Sequence, residues 1–180
     1  MKTIIVVPSV LLAASVLAME LPPPPAGFSW KDVPEISAAF LMPKGWHFKR
    51  EVQGDTLGLF ITQEAIGKGG HFSTGLTINV FRRSKPGSAV EYARAFIARM
   101  AAEKHAEETW ARDVGPLRSF GCRVKGAGDT GTVVMHTLMV ANPRTGTLYL
   151  FIFEAPETSW TDAWKKGKKI MELLAVDDEV

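Results

Sequence analysis

The side chains able to do chemistry are few and poorly grouped. Histidine occurs four times, at His47, His71, His105 and His136. Their spacing forms no H-x-x-x-H, no HExxH and no cluster with cysteine, the patterns that close a zinc site. His105 and Glu108 stand three apart near the expected end of a helix, where they would share a face. A lone histidine at a helix end more often meets the helix carboxyl end or water than a metal. Cys122 has no second cysteine to pair with. The alternation Phe120, Cys122, Val124 puts it on the apolar face of a strand, as a buried inert thiol. There is no G-x-S-x-G elbow for a nucleophilic serine. Ser88 and Ser159 stand where helix caps are needed. The carboxylates show no spacing that singles out an acid/base pair. The sequence therefore identifies no catalytic residue, no metal ligand and no cofactor site.

Two charged or glycine-rich features remain. Gly67-Lys68-Gly69-Gly70 looks like a phosphate loop, but His71-Phe72 and a strand follow where a lysine, a hydroxyl residue and a helix are required. A hairpin loop explains it. Lys165, Lys166, Lys168 and Lys169 lie on the exposed side of the last predicted helix. They would attract an anionic partner, either an acidic protein or an anionic membrane surface, at about 1 kcal/mol per lysine near a charged surface. The bland reading is a solvated helix face whose cations complement the helix carboxyl end.

The first eighteen residues set the compartment. Lys2 precedes an apolar stretch, Ile4 to Leu17, that closes on Val16-Leu17-Ala18. This is the pattern of a secretory signal peptide, cleaved after Ala18. As a helix the stretch would rise only about 21 Å, short of the roughly 30 Å hydrocarbon core. Pro8 weakens it further. The expectation is a soluble protein of the periplasm or the exterior. Removing Lys2 lowers the formal charge from +2 to about +1, too small for a field that gathers nucleic acid.

Residues 19–35 hold four consecutive prolines, Pro22 to Pro25, and read as a semi-rigid spacer. Residues 36–180 read as a single domain, since hydrophobic content of 46% with 22% charged is ordinary globular usage. Short alternating runs predict strands over residues 38–42, 46–52, 56–62, 75–82, 118–125, 131–140 and 147–154. A helix runs from Ser88 to about Glu108, with Ala93, Phe96, Ile97, Met100 and Ala101 as its apolar stripe. A second begins at Ser159, with Trp160, Trp164, Gly167, Ile170, Met171 and Leu174 along one side. The run Leu148 to Phe153 is apolar throughout and predicts a central strand covered on both faces. The fold class is α+β, a mostly antiparallel β-sheet packed by two long helices.

Three phrases resemble the PsbP-like superfamily: Phe40-Leu41-Met42-Pro43-Lys44-Gly45-Trp46, Gly75-Leu76-Thr77-Ile78-Asn79-Val80, and Tyr149 to Pro156 running into the Trp-rich last helix. The likeness covers roughly residues 36 to 175. It implies an α-β-α sandwich and a family of binding or assembly proteins that share no catalytic machinery. It carries no functional residue across. The expected function is an exported, non-enzymatic binding or assembly protein of the cell envelope, its partner a protein or another envelope component. The alternative is an envelope hydrolase with a dispersed active site. Export predicts that the intact mass of protein recovered from the envelope lacks residues 1–18. Recovery of the uncut chain from the membrane would overturn it.

Overall fold

A run as apolar as Leu148 to Phe153 has no face to give to water, so it needs cover on both sides. The computed structural model, which describes residues 4–6, 21–67, 71–82, 88–129 and 131–176, gives it that cover. The chain is an α+β fold of antiparallel sheets and two helices. Its strands are β1 (Ile4–Val6), β2 (Phe28–Val33), β3 (Ala38–Pro43), β4 (His47–Gln53), β5 (Thr56–Thr62) and β6 (Gly75–Arg82). Helix α1 (Ser88–Glu103) follows, then β7 (Glu108–Val114), β8 (Leu117–Gly128), β9 (Gly131–Ala141) and β10 (Thr147–Pro156). Helix α2 (Trp160–Glu172) and β11 (Leu173–Val176) close the order.

Seven strands form one sheet in the order β4-β5-β6-β10-β9-β8-β7, and four form another in the order β1-β11-β3-β2. All described pairings are antiparallel. The alternation of β10 divides the interior in two. Tyr149, Phe151, Phe153 and Ala155 join the core beneath α2 and the small sheet, with Phe40, Leu41, Ile170 and Met171. Leu148 and Leu150 join a second core beneath α1, with Ala89, Ala93, Ile97, Cys122, Val124 and Met139. The predicted stripe of α1 faces this second core, as expected.

Three expectations need correction. Helix α1 stops at Glu103, short of Glu108. The amide of Ala106 reaches back to the carbonyl of Ala101 at 2.9 Å, and His105 takes a left-handed backbone, φ 49°. That is a helix-ending turn, usually made by glycine. It frees Glu108 to start β7, so His105 and Glu108 share no helix face. The last helix likewise stops at Glu172, and Leu174 lies in β11 rather than on the stripe. Ser159 donates its hydroxyl to the carbonyl of Pro156 at 3.3 Å, from the 3-10 turn that precedes α2. Finally, folded structure begins before Ile36. Strand β2 pairs with β3 along its whole length, and its Phe28 and Val33 are core residues. The proline tract is itself attached, since Trp30 Nε1 donates to the carbonyl of Pro22 at 2.7 Å and the amide of Phe28 to that of Pro25 at 3.0 Å. Of the predicted leader only β1 is described, paired with β11, and the cleavage point after Ala18 lies outside the described residues.

Helix α2 meets β10 so closely that Gly167 has no room for a side chain. A Cβ there would fall 2.6 Å from the ring of Phe153, which is fully buried and cannot retreat. Crowding of this kind costs roughly 1–3 kcal/mol. Alanine in place of glycine would return about 1 kcal/mol of helix propensity. Overpacking wins, so Gly167→Ala should lower the melting temperature by a few degrees. A variant melting at or above the wild-type temperature would show that the helix shifts without penalty.

Candidate functional site

Successive residues of a strand point to opposite faces. On β8, Phe120, Cys122 and Val124 face α1, which leaves Gly121, Arg123 and Lys125 on the α2 side. The register places Glu108, Arg123, His136 and Phe153 in one row across β7, β8, β9 and β10. Helix α2 lays Trp160 and Trp164 over that row. Trp110 of β7 lies across Gly121, where an added Cβ would meet its indole at 2.3 Å. Only glycine fits there.

The rings form a continuous stack. Trp110 and His136 are 4.4 Å apart between centroids, His136 and Trp164 4.2 Å, and Trp164 and Trp160 5.3 Å. Phe153 closes the floor at 5.6 Å from Trp164. The guanidinium of Arg123 lies 5.4 Å from Trp164 and 5.7 Å from Trp160. Its Nη1 meets Glu108 at 3.4 Å and its Nη2 meets Nδ1 of His136 at 3.4 Å, while its buried Nε has no hydrogen-bond partner. Lys125 next along β8 bridges Glu107 at 2.8 Å and Glu157 at 2.9 Å, and the two carboxylates raise its pKa. The four stacked rings are half-buried.

This geometry settles what His136 can do. Burial, and then the charge of Arg123, lower its pKa from 6.5 to about 3. The ring stays neutral at physiological pH, and Nδ1 can only accept from the guanidinium. A base that weak gives little driving force for proton abstraction, and both ring faces are covered. His136 therefore packs and accepts. The other described histidines lie apart from it and are exposed: His47 on the edge strand β4, His71 in a loop and His105 in the turn after α1. Among the described residues no group of three or more His, Cys, Asp or Glu could hold a metal ion. Cys122 is free and buried, and burial raises its thiol pKa, as the strand pattern predicts. Lys68, Gly69 and Gly70 lie outside the described residues.

The four lysines of α2 are all exposed, yet they are not equivalent. Lys165 pairs with Asp162 at 2.6 Å and Lys168 approaches Glu172 at 3.6 Å. Lys166 lies 5.6 Å from the ring of Trp46 and Lys169 5.5 Å from that of Phe28. No carboxylate among the described residues pairs with these last two. The backbone of Lys44 lies beside the Phe28 segment, its amide donating to the carbonyl of Gly27 at 2.8 Å. Sequence reasoning found this face but missed Arg123 and Trp110. The signal for Trp110 was the β-forming run Thr109-Trp110 before the Gly115-Pro116 turn, masked by the charged residues that seemed to extend α1.

No protein-family model matches the chain, and no curated protein matches it. Solved structures do. Cyanobacterial PsbP (CyanoP) from Synechocystis sp. PCC 6803 aligns at TM-score 0.52 and 15% identity, over 92% of this chain and 98% of its own. The fold is therefore PsbP-like, and at that identity the likeness is one of fold. The Ran-binding protein Mog1p of Saccharomyces cerevisiae aligns at TM-score 0.48 and 12% identity, over 83% of this chain and 95% of its own. A structure from Bacteroides thetaiotaomicron VPI-5482 aligns at TM-score 0.47 and 11% identity, over 77% of this chain but 44% of its own length.

The neutral histidine makes stability depend on pH in one direction. Between pH 6.5 and about 3 the unfolded chain binds a proton on this residue and the folded chain does not. Its stabilising contribution is complete above pH 6.5 and falls as the pH drops toward 3, by at most about 1.4 kcal/mol per pH unit. Glu154, whose carboxyl burial raises its pKa, acts in the opposite sense, so the difference between wild type and His136→Gln isolates the effect. Urea unfolding across this range should give a steeper acid loss for wild type than for the variant. Equal slopes would mean that the ring protonates freely in the folded protein.

Proposed function

We propose that this chain is an exported, soluble, non-enzymatic binding or assembly protein of the cell envelope, which holds an anionic partner on the lysine face of α2. The carrying observation is the placement of Lys166 and Lys169. Both are exposed, neither meets a carboxylate among the described residues, and their ammonium groups lie over Trp46 and Phe28. An exposed cation–π contact is worth only about 0.5–1 kcal/mol and leaves the charge intact. These two lysines thus present positive charge that the fold has not neutralised. The secretory pattern of residues 1–18 supports the envelope location, and the neutral, ring-covered His136 is a poor candidate for the base of the rival hydrolase reading. No described helix is long and apolar enough to cross a membrane.

Changing Lys165, Lys166, Lys168 and Lys169 to glutamate should weaken capture of the partner from an envelope fraction, and added salt should weaken wild-type capture too. Glutamate at 165 and 168 would also face Asp162 and Glu172, so the milder Lys166→Gln/Lys169→Gln variant separates binding from helix stability. At about 1 kcal/mol per lysine the milder pair should lower affinity roughly thirtyfold on vesicles rich in anionic lipid. A folded quadruple variant that captures the same partner at the same strength would refute the assignment.

A further inference from the structure

The large sheet ends on β4 at one side and β7 at the other. An edge strand offers unpaired backbone donors and acceptors to any strand that can lie beside it. On β7, Glu108, Thr109, Ala111, Arg112 and Asp113 are exposed and Trp110 is half-buried. A second copy lying antiparallel across a two-fold axis sets each residue opposite the one equally far from that axis. With the axis at Trp110, Glu108 falls opposite Arg112 of the second copy, Arg112 opposite Glu108, and Trp110 opposite Trp110. Glu108, Trp110 and Arg112 share one face of the strand, so two opposite-charge pairs flank the axis residue, whose indole lies inward over Gly121 of its own copy. Moving the axis by one residue, to Thr109 or Ala111, loses both charge pairs.

The groups are available for this. Arg112 has no carboxylate partner among the described residues, and Glu108 is held only loosely, at 3.4 Å from Arg123. The one unfavourable facing pair, Glu107 with Asp113, is relieved within each copy by Lys125 at 2.8 Å and Arg118 at 3.5 Å. Strand β4 fits less well. Its self-complementary axis lies at Arg50, which Glu35 already pairs, and Lys49 and Glu51 already pair with each other within the strand, so its charges are met within the copy. We propose that β7 is a self-pairing edge, and that two copies of this chain join antiparallel through it about Trp110, extending the sheet from one copy into the next.

Sedimentation equilibrium over a concentration series tests this, with circular dichroism melts as the check on folding. The wild type should show a monomer–dimer equilibrium that weakens with salt. Glu108→Arg alone, and Arg112→Glu alone, should each raise the dimer dissociation constant about tenfold or more, because each turns both attractive pairs repulsive. The double exchange Glu108→Arg/Arg112→Glu should restore much of it. Amide exchange in β7 of the unsubstituted protein, slowing as concentration rises while β4 does not change, reads the same interface without any substitution. A wild type that stays monomeric throughout, a dimer indifferent to these exchanges, or a dimer dissolved instead by Lys49→Glu on β4 would overturn the proposal.

Discussion

Strand β10 has to be dry on both faces, and the rest of the fold follows from that constraint. Six apolar residues in a row cannot lie at a surface, so each side of the strand must be roofed by a separate element. Helix α1 roofs one side. Helix α2 and the small sheet roof the other. The neighbouring strands then inherit two interiors with different demands. The buried groups on the α1 side are small or aliphatic, around Ala89, Ala93 and Cys122, with Phe81, Tyr92, Phe96 and Phe120 partly buried around them. The fully buried rings Phe40, Tyr149, Phe151 and Phe153 lie on the α2 side among further aliphatic residues. The close approach at Gly167 and the cover over Phe153 are local expressions of this same requirement.

The charged groups at the margin of the ring-filled side illustrate how a sheet admits a cation into a partly dry place. The Arg123 guanidinium meets a carboxylate, an imidazole and two indoles, each contributing a modest attraction. His136 beside it stays neutral, chiefly because it is buried and further because of the arginine's charge. An arginine and a protonated imidazole at this distance would repel within a medium that screens poorly. The neutral imidazole is therefore a condition of burying the arginine there, and the aromatic stack is what makes the neutral ring worth burying.

Much of this was legible from periodicity. The uninterrupted run of β10, the stripe of α1 and the thiol-bearing face of β8 all declare themselves through local spacing. The parts that did not are those decided by distant or unusual contacts. The end of α1 depends on a histidine in a left-handed backbone, where the sequence carries neither glycine nor proline to mark it. Strand β2 is hidden behind four prolines, and its apolar ends Phe28 and Val33 gain meaning only against β3. The Arg123 cluster draws on β7, β8, β9 and α2, so no window along the chain contains it. The lysine face was visible because four cations within five residues need no tertiary information. Which of them are already neutralised needed Asp162, Glu172, Trp46 and Phe28 in place.

The bond from Trp30 to the carbonyl of Pro22 bears on the timing of export. A free polyproline spacer would hold the folded body about 3 Å per residue away from whatever precedes it. Here the tract is pinned at Pro22 and Pro25, so it lends no reach. For a chain exported as proposed, only Met19, Glu20 and Leu21 separate the scissile bond after Ala18 from a segment clasped to the domain. A protease at the membrane needs extended substrate on both sides of its target. Once Trp30 has clasped Pro22, that extended stretch is nearly used up. If the leader is removed as proposed, its removal and the closure of the small sheet would compete, and cutting would be easiest while β2 is still unpaired.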